Sequence, residues 1–117
     1  MNKKEHPEMG QFRFKDGEEV FDLSIVGGEN LYSTPRKGDL NFDEYEEVEI
    51  AVLKRRVENC AMPPYEISFV RETGREEVDD LLRGLIDYDV GSYIPTKKVE
   101  KLFHLMVEQF GPPEKVR

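Results

Sequence analysis

Residues 11–26 read Gln11-Phe12-Arg13-Phe14-Lys15-Asp16-Gly17-Glu18-Glu19-Val20-Phe21-Asp22-Leu23-Ser24-Ile25-Val26. Apolar and polar residues alternate on both sides of Asp16-Gly17, a pair that tolerates the positive φ angles of a two-residue type I′ turn. The spacing predicts a β-hairpin with Lys15 opposite Glu18, Phe14 opposite Glu19 and Phe12 opposite Phe21. Phe12, Phe14, Phe21, Leu23 and Ile25 then share one face, and Arg13, Lys15, Glu18 and Asp22 the other. Glu19 and Val20, both near the turn, break the sorting. A one-residue slip would turn every side chain to the wrong face, so the apolar set specifies the register. Gly27-Gly28 ends the second strand.

The far end of the chain supplies the second layer. Val99, Leu102, Phe103, Met106, Val107 and Phe110 follow the i, i+3, i+4 rhythm of an amphipathic helix, opened by Pro95-Thr96 and stopped by Gly111-Pro112-Pro113. Before it, Thr73 and Glu76 have capping-box spacing. Val78, Leu81, Leu82, Leu85 and Ile86 mark a helix over 74–86 whose first turns carry Glu76, Glu77, Asp79 and Asp80.

Between hairpin and helices, Val48, Ile50 and Val52 alternate with Glu47, Glu49 and Ala51. The rival is a helix capped by Asn41 with Glu44 three residues on. The β-branched residues decide for a strand over 45–54. Tyr65, Ile67 and Phe69 alternate with Glu66 and Ser68 after the Met62-Pro63-Pro64 break, giving a strand over 65–70, and Val90 to Ile94 reads as a short extended piece. Residues 29–41 have no period; a loop of that length is functional or conceals a short strand. Strands early and helices late predict an α+β fold, a mostly antiparallel sheet of four to five strands with the two helices packed on one face. The expected organisation is a flexible lead-in over 1–10, one domain over 11–111 and a short tail over 112–117.

Composition narrows the function. The chain has 117 residues, 36% of them charged, and Asp plus Glu at 25 against Lys plus Arg at 17 leave a net charge of −8. Direct nucleic-acid binding needs positive charge to displace counterions from phosphates, so it is not expected; docking on an anionic membrane is not expected either. One cysteine, Cys60, excludes an internal disulfide, and its expected state is buried and structural. The early lysines Lys3 and Lys4 are followed by no apolar stretch, so no signal peptide or membrane span is read, and the expected location is the cytoplasm.

The largest charged feature is the run Asp39, Asp43, Glu44, Glu46, Glu47 and Glu49, with no base among 39–49. On a strand, Glu47 and Glu49 project opposite Val48 and Ile50, and such a ridge can steer a basic partner; the plain alternative is a solvated strand face. Tyr32, Arg36 and Lys37 make the loop 29–41 a second candidate contact, and its Ser33-Thr34-Pro35 a candidate for modification. Thr96, Lys97 and Lys98 at the start of the last helix could hold an anion, against a reading as plain surface lysines. Glu100, His104 and Glu108 form one stripe on that helix, expected to be a solvent-facing ion-pair ladder. Asp87-Tyr88-Asp89-Val90-Gly91 is half of a calcium loop without its remaining ligands, so a turn is expected and no metal or cofactor is assigned. Lys54-Arg55-Arg56 is read as balancing the acidic strand before it.

No coherent catalytic set emerges, and the expected function is a non-catalytic binding or regulatory module of inhibitor, immunity or adaptor type that engages a protein with a basic surface. The alternatives are a small enzyme using Arg36, Tyr93, Glu100 and His104 between the loop and the last helix, or a subunit joined to a larger assembly by sheet-edge pairing.

Overall fold

The computed structural model describes residues 6–55 and 67–117. The elements run β1 (Gly10–Asp16), β2 (Glu19–Val26), a 3₁₀ turn (Phe42–Glu44), β3 (Glu47–Arg55), β4 (Ile67–Val70), α1 (Glu76–Leu85), β5 (Gly91–Pro95), α2 (Thr96–Phe110) and β6 (Glu114–Lys115). Among the described residues this is the expected α+β arrangement, an antiparallel sheet with two helices. Arg56, Cys60, the Met62-Pro63-Pro64 break and Tyr65 lie outside the described residues.

The hairpin forms, but its turn lies one residue later than Asp16-Gly17. Asp16 pairs with Glu19, and Gly17 and Glu18 are the two central residues. Gly17 has φ 65, glycine at the first central position, where type II′ turns place it. Each strand partner therefore moves by two residues, so that Phe14 faces Phe21, Phe12 faces Leu23 and Arg13 faces Asp22. A shift of two leaves every side chain on its predicted face. It also sets an aromatic pair and an opposite-charge pair directly across the ladder, where the expected register set Phe14 against Glu19. Glu19 joins Lys54 of β3 at 2.8 Å instead.

β3 is the organising strand. Along one edge it pairs with β2 from Glu49 to Arg55. The other edge is divided, with β4 on Val52–Arg55 and β5 on Glu47–Ile50. The full order is β4-β3-β2-β1-β6 with β5 beside β4 on the same edge of β3. The strand reading of 45–54 holds. The Asn41–Glu44 capping signal was also genuine, but it serves only the 3₁₀ turn, where the Asn41 N–H donates to Glu44 Oε1 at 2.8 Å. Glu114 and Lys115, within the expected tail, add a sixth strand by pairing with Arg13 and Phe12. At the other end Met9 packs against the core.

The apolar stripes of both helices meet one face of the sheet. Phe12, Phe14, Phe21, Leu23, Ile25, Val48, Ile50 and Val52 are buried there against Val78, Leu82 and Leu85 of α1 and Val99, Leu102, Phe103 and Met106 of α2. Phe103 stands edge-on to Phe12 and Phe14, with ring centroids 5.2 and 6.0 Å away. Gly111, at φ 91, ends α2 and donates its N–H to Val107 O, a positive φ that glycine adopts without steric cost.

The start of α1 differs from expectation. Thr73 and Glu76 do not form a capping box. The N-cap position is Arg75, which makes no side-chain cap, and Asp79 reaches back from inside the helix instead. Its Oδ1 accepts from Thr73 N at 2.6 Å and Thr73 Oγ1 at 2.9 Å, and its Oδ2 from Gly74 N at 3.1 Å. Thr73 and Asp79 are both buried, so the two Thr73 donors have little access to water. Asp79→Ala is expected to cost about 1–3 kcal/mol by leaving buried donors unpaired, read from the denaturant midpoint of unfolding.

Candidate functional site

The sheet face away from the helices carries Gln11, Arg13, Asp22, Glu47, Glu49, Ala51, Leu53, Arg55 and Phe69, as the strand registers require. At its centre is a buried carboxylate. Asp22 accepts from Gln11 Nε2 at 2.6 Å, Arg13 Nε at 2.9 Å and Arg55 Nε at 3.1 Å. Its side chain has 0% exposure. Burial alone pushes this carboxyl up; the hydrogen bonds from Arg13, Gln11 and Arg55 together outweigh it and hold the group below the ordinary carboxylate range. Lys54 and Arg55, read as balancing the acidic strand before them, make their ion pairs across to β2, at Glu19 and Asp22. Across an antiparallel ladder a neighbouring strand is closer than a residue several positions along the same strand.

The loop 29–41 does conceal a sheet contact. Thr34 bridges Glu47, donating its N–H to Glu47 O at 2.9 Å and accepting from Glu46 N at 2.8 Å. Glu47 and Glu49 project to the predicted side of β3, yet each engages the loop through one oxygen. Glu47 Oε1 accepts from Thr34 Oγ1 at 2.7 Å, and Glu49 Oε1 from Tyr32 N at 3.1 Å. They are clasps for the loop as well as surface charges. Ser33, in the Ser33-Thr34-Pro35 candidate for modification, is fully buried, and its Oγ accepts from Gly28 N and donates to Pro35 O. Arg36 and Lys37 are exposed, and the Lys37 carbonyl accepts from Tyr45 Oη at 2.5 Å.

The rest of the acidic run lies on and beside the 3₁₀ turn. Asp43, Glu44 and Glu46 are exposed. Asp43 faces His6 Nε2 at 3.3 Å, and Glu46 carries its neighbours on its backbone, accepting at its carbonyl from Thr96 N at 3.1 Å. Thr96 turns its hydroxyl to Tyr45 O. With both Thr96 groups engaged by residues 45 and 46, Lys97 and Lys98 are the outward donors at the start of α2.

The same hydrogen bonds assemble an aromatic pair. Tyr93 N donates to Tyr32 O at 3.0 Å, and the two rings lie 5.7 Å apart at an interplanar angle of 56°. Tyr32 is 48% exposed and Tyr93 40%. Tyr93 has φ 53, a left-handed conformation uncommon for a bulky residue. Nothing in the local sequence signals this pair, because it depends on β5 joining β3 beside the loop.

One open cleft of about 390 Å³ is lined by Met9, Ile25, Leu31, Leu40 and Tyr45 among others, and a second of about 360 Å³ by His6, Leu40, Phe42 and Asp43. Arg36, Tyr93 and His104 line neither of them. Glu100 faces His6 Nδ1 at 3.6 Å, and His104 is exposed beside the edge of Phe103. Among the described residues no three His, Cys, Asp or Glu side chains gather as a metal site, and no helix is long and apolar enough to cross a membrane. Compared with known protein families, with curated proteins and with solved structures, the chain matches none of them.

Proposed function

We propose that this protein is a non-catalytic binding module that engages a basic protein surface through the rim formed by residues 43–49 and the loop 29–41. The observation that supports this reading is the held, outward placement of Asp43, Glu44 and Glu46. They sit on a short segment tied by backbone hydrogen bonds to Thr34 on one side and Thr96 on the other. A net charge of −8 adds long-range steering toward a cationic partner. Carboxylates held in place lose less freedom on binding than those on a mobile tail. The partner is a protein of basic surface, and the complex weakens as salt rises.

The test is capture of partners by the tagged protein from its own host lysate at low and at moderate salt. The charge-reversed control is Asp43→Lys with Glu46→Lys. Glu47 and Glu49 are unsuitable for it, because reversing them would release the loop and confound charge with folding. A near-stoichiometric basic partner, lost in the double variant and weakened by salt, is the expected result. A partner retained by the double variant at both salts would overturn the reading.

A further inference from the structure

We infer that the Tyr32–Tyr93 pair is the recognition point for an arginine side chain of the basic partner; this rests on the binding function proposed above. The two tyrosine rings are 48% and 40% exposed, tilted against each other at 56° and joined through their backbones, so they form one exposed aromatic surface. Tyrosines held in one geometry give large contact area at small entropic cost and concentrate at binding hot spots. Their surroundings narrow the occupant. Glu49 is bonded to the Tyr32 backbone, and Glu47 stands two residues along the same face of β3, bonded to Thr34. Glu49 thus lies against the Tyr32 backbone, and Glu47 is held two loop residues further on, at Thr34.

Exposed aromatic rings on a loop held by two carboxylates suit a cation. A guanidinium fits better than an ammonium, because it is planar, stacks on rings, is weakly hydrated and can donate to more than one carboxylate oxygen while stacked. A neutral apolar side chain would cover the rings but leave the carboxylates partly desolvated without a partner. The left-handed Tyr93 backbone aims its ring at Tyr32, and asparagine tolerates that conformation. Tyr93→Asn therefore removes the ring while keeping the backbone.

The experiment measures binding of labelled Arg-Gly and Lys-Gly repeat peptides of equal length by fluorescence anisotropy. The proteins are the full chain and its Tyr32→Ser, Tyr93→Asn and Glu46→Lys variants, each checked for folding by its thermal melt. The full chain is expected to bind the arginine peptide about threefold to fivefold more tightly than the lysine peptide. Either tyrosine variant should abolish that preference and leave lysine binding nearly unchanged, whereas Glu46→Lys should weaken both peptides alike. Equal affinity for the two peptides, or a preference that survives in both folded tyrosine variants, would overturn the inference while leaving the acidic rim as the binding surface. Failure of both peptides to bind would overturn it as well, and the lysate capture would then decide independently whether the broader reading survives.

Discussion

Phe103→Ala is expected to remove about 3–5 kcal/mol of folding stability. For a chain of this length that is a large share of a total of roughly 6–17 kcal/mol. The ring is 2% exposed and lies where α2 meets the hairpin, edge-on to both Phe12 and Phe14. Its removal forfeits the transfer energy of a large apolar group and leaves a cavity that two rigid strands cannot close. It also ends two edge-to-face contacts, each worth up to about 1 kcal/mol. Urea unfolding followed by circular dichroism should show a much lower midpoint with an unchanged slope. A loss under about 1 kcal/mol would mean that α2 does not pack on the sheet as described. Phe69→Ala, at a ring 51% exposed on the opposite face, is the control and should change stability little.

Asp22→Ala is expected to cost a similar amount, about 3 kcal/mol, for an electrostatic reason. The carboxylate is covered by its own partners, and its loss would leave the Arg13 and Arg55 guanidinium groups facing each other across β2 with no anion between them. The same site makes stability depend on pH with a definite sign. The folded-state pKa of Asp22 is depressed, so its contribution is present in full above the unfolded value near 4 and is lost as pH falls through the lower folded value. Asp16 adds to this in the same direction, since the hydrogen bond from Arg75 holds its carboxyl down too. Stability from these groups should be flat from about pH 8 to 5 and fall below about pH 4. The Asp22→Ala variant should show a shallower acid limb than the parent. Identical limbs in acid titrations of the two proteins would show that Asp22 is not held as an ion.

The two substitutions sort what was readable in the chain. Phe103 was legible because helix periodicity and strand alternation are local patterns, written within a dozen residues. Five of the six strands among the described residues, both helices and the α+β class followed from such patterns, and so did the sorting of the hairpin faces, which survived a misplaced turn because a shift of two residues preserves them; β6, in the expected tail, did not. The position of the turn itself was not legible, since Asp16-Gly17 and Gly17-Glu18 are both plausible turn pairs; cross-strand pairing of Phe14 with Phe21 and Arg13 with Asp22 selects between them.

The candidate site was legible in charge but not in arrangement. That residues 39–49 are acidic is plain, and so is the side of β3 that Glu47 and Glu49 take. Their work as clasps on Thr34 and Tyr32 is not, for each bond spans more than ten positions of the chain. Asp22 likewise reads as one more polar residue on a strand until Arg55, thirty-three positions on, closes over it. Asp79 reads as a residue suited to the helix dipole until it is found holding the chain before the helix. Tyr32 and Tyr93 meet only because β5 takes half of an edge of β3 that it shares with β4. Composition and short-range period belong to the linear chain, and they were enough for class, faces and charge. Which carboxylate meets which donor depends on strand order and edge sharing, and those follow from long-range packing that no local window contains.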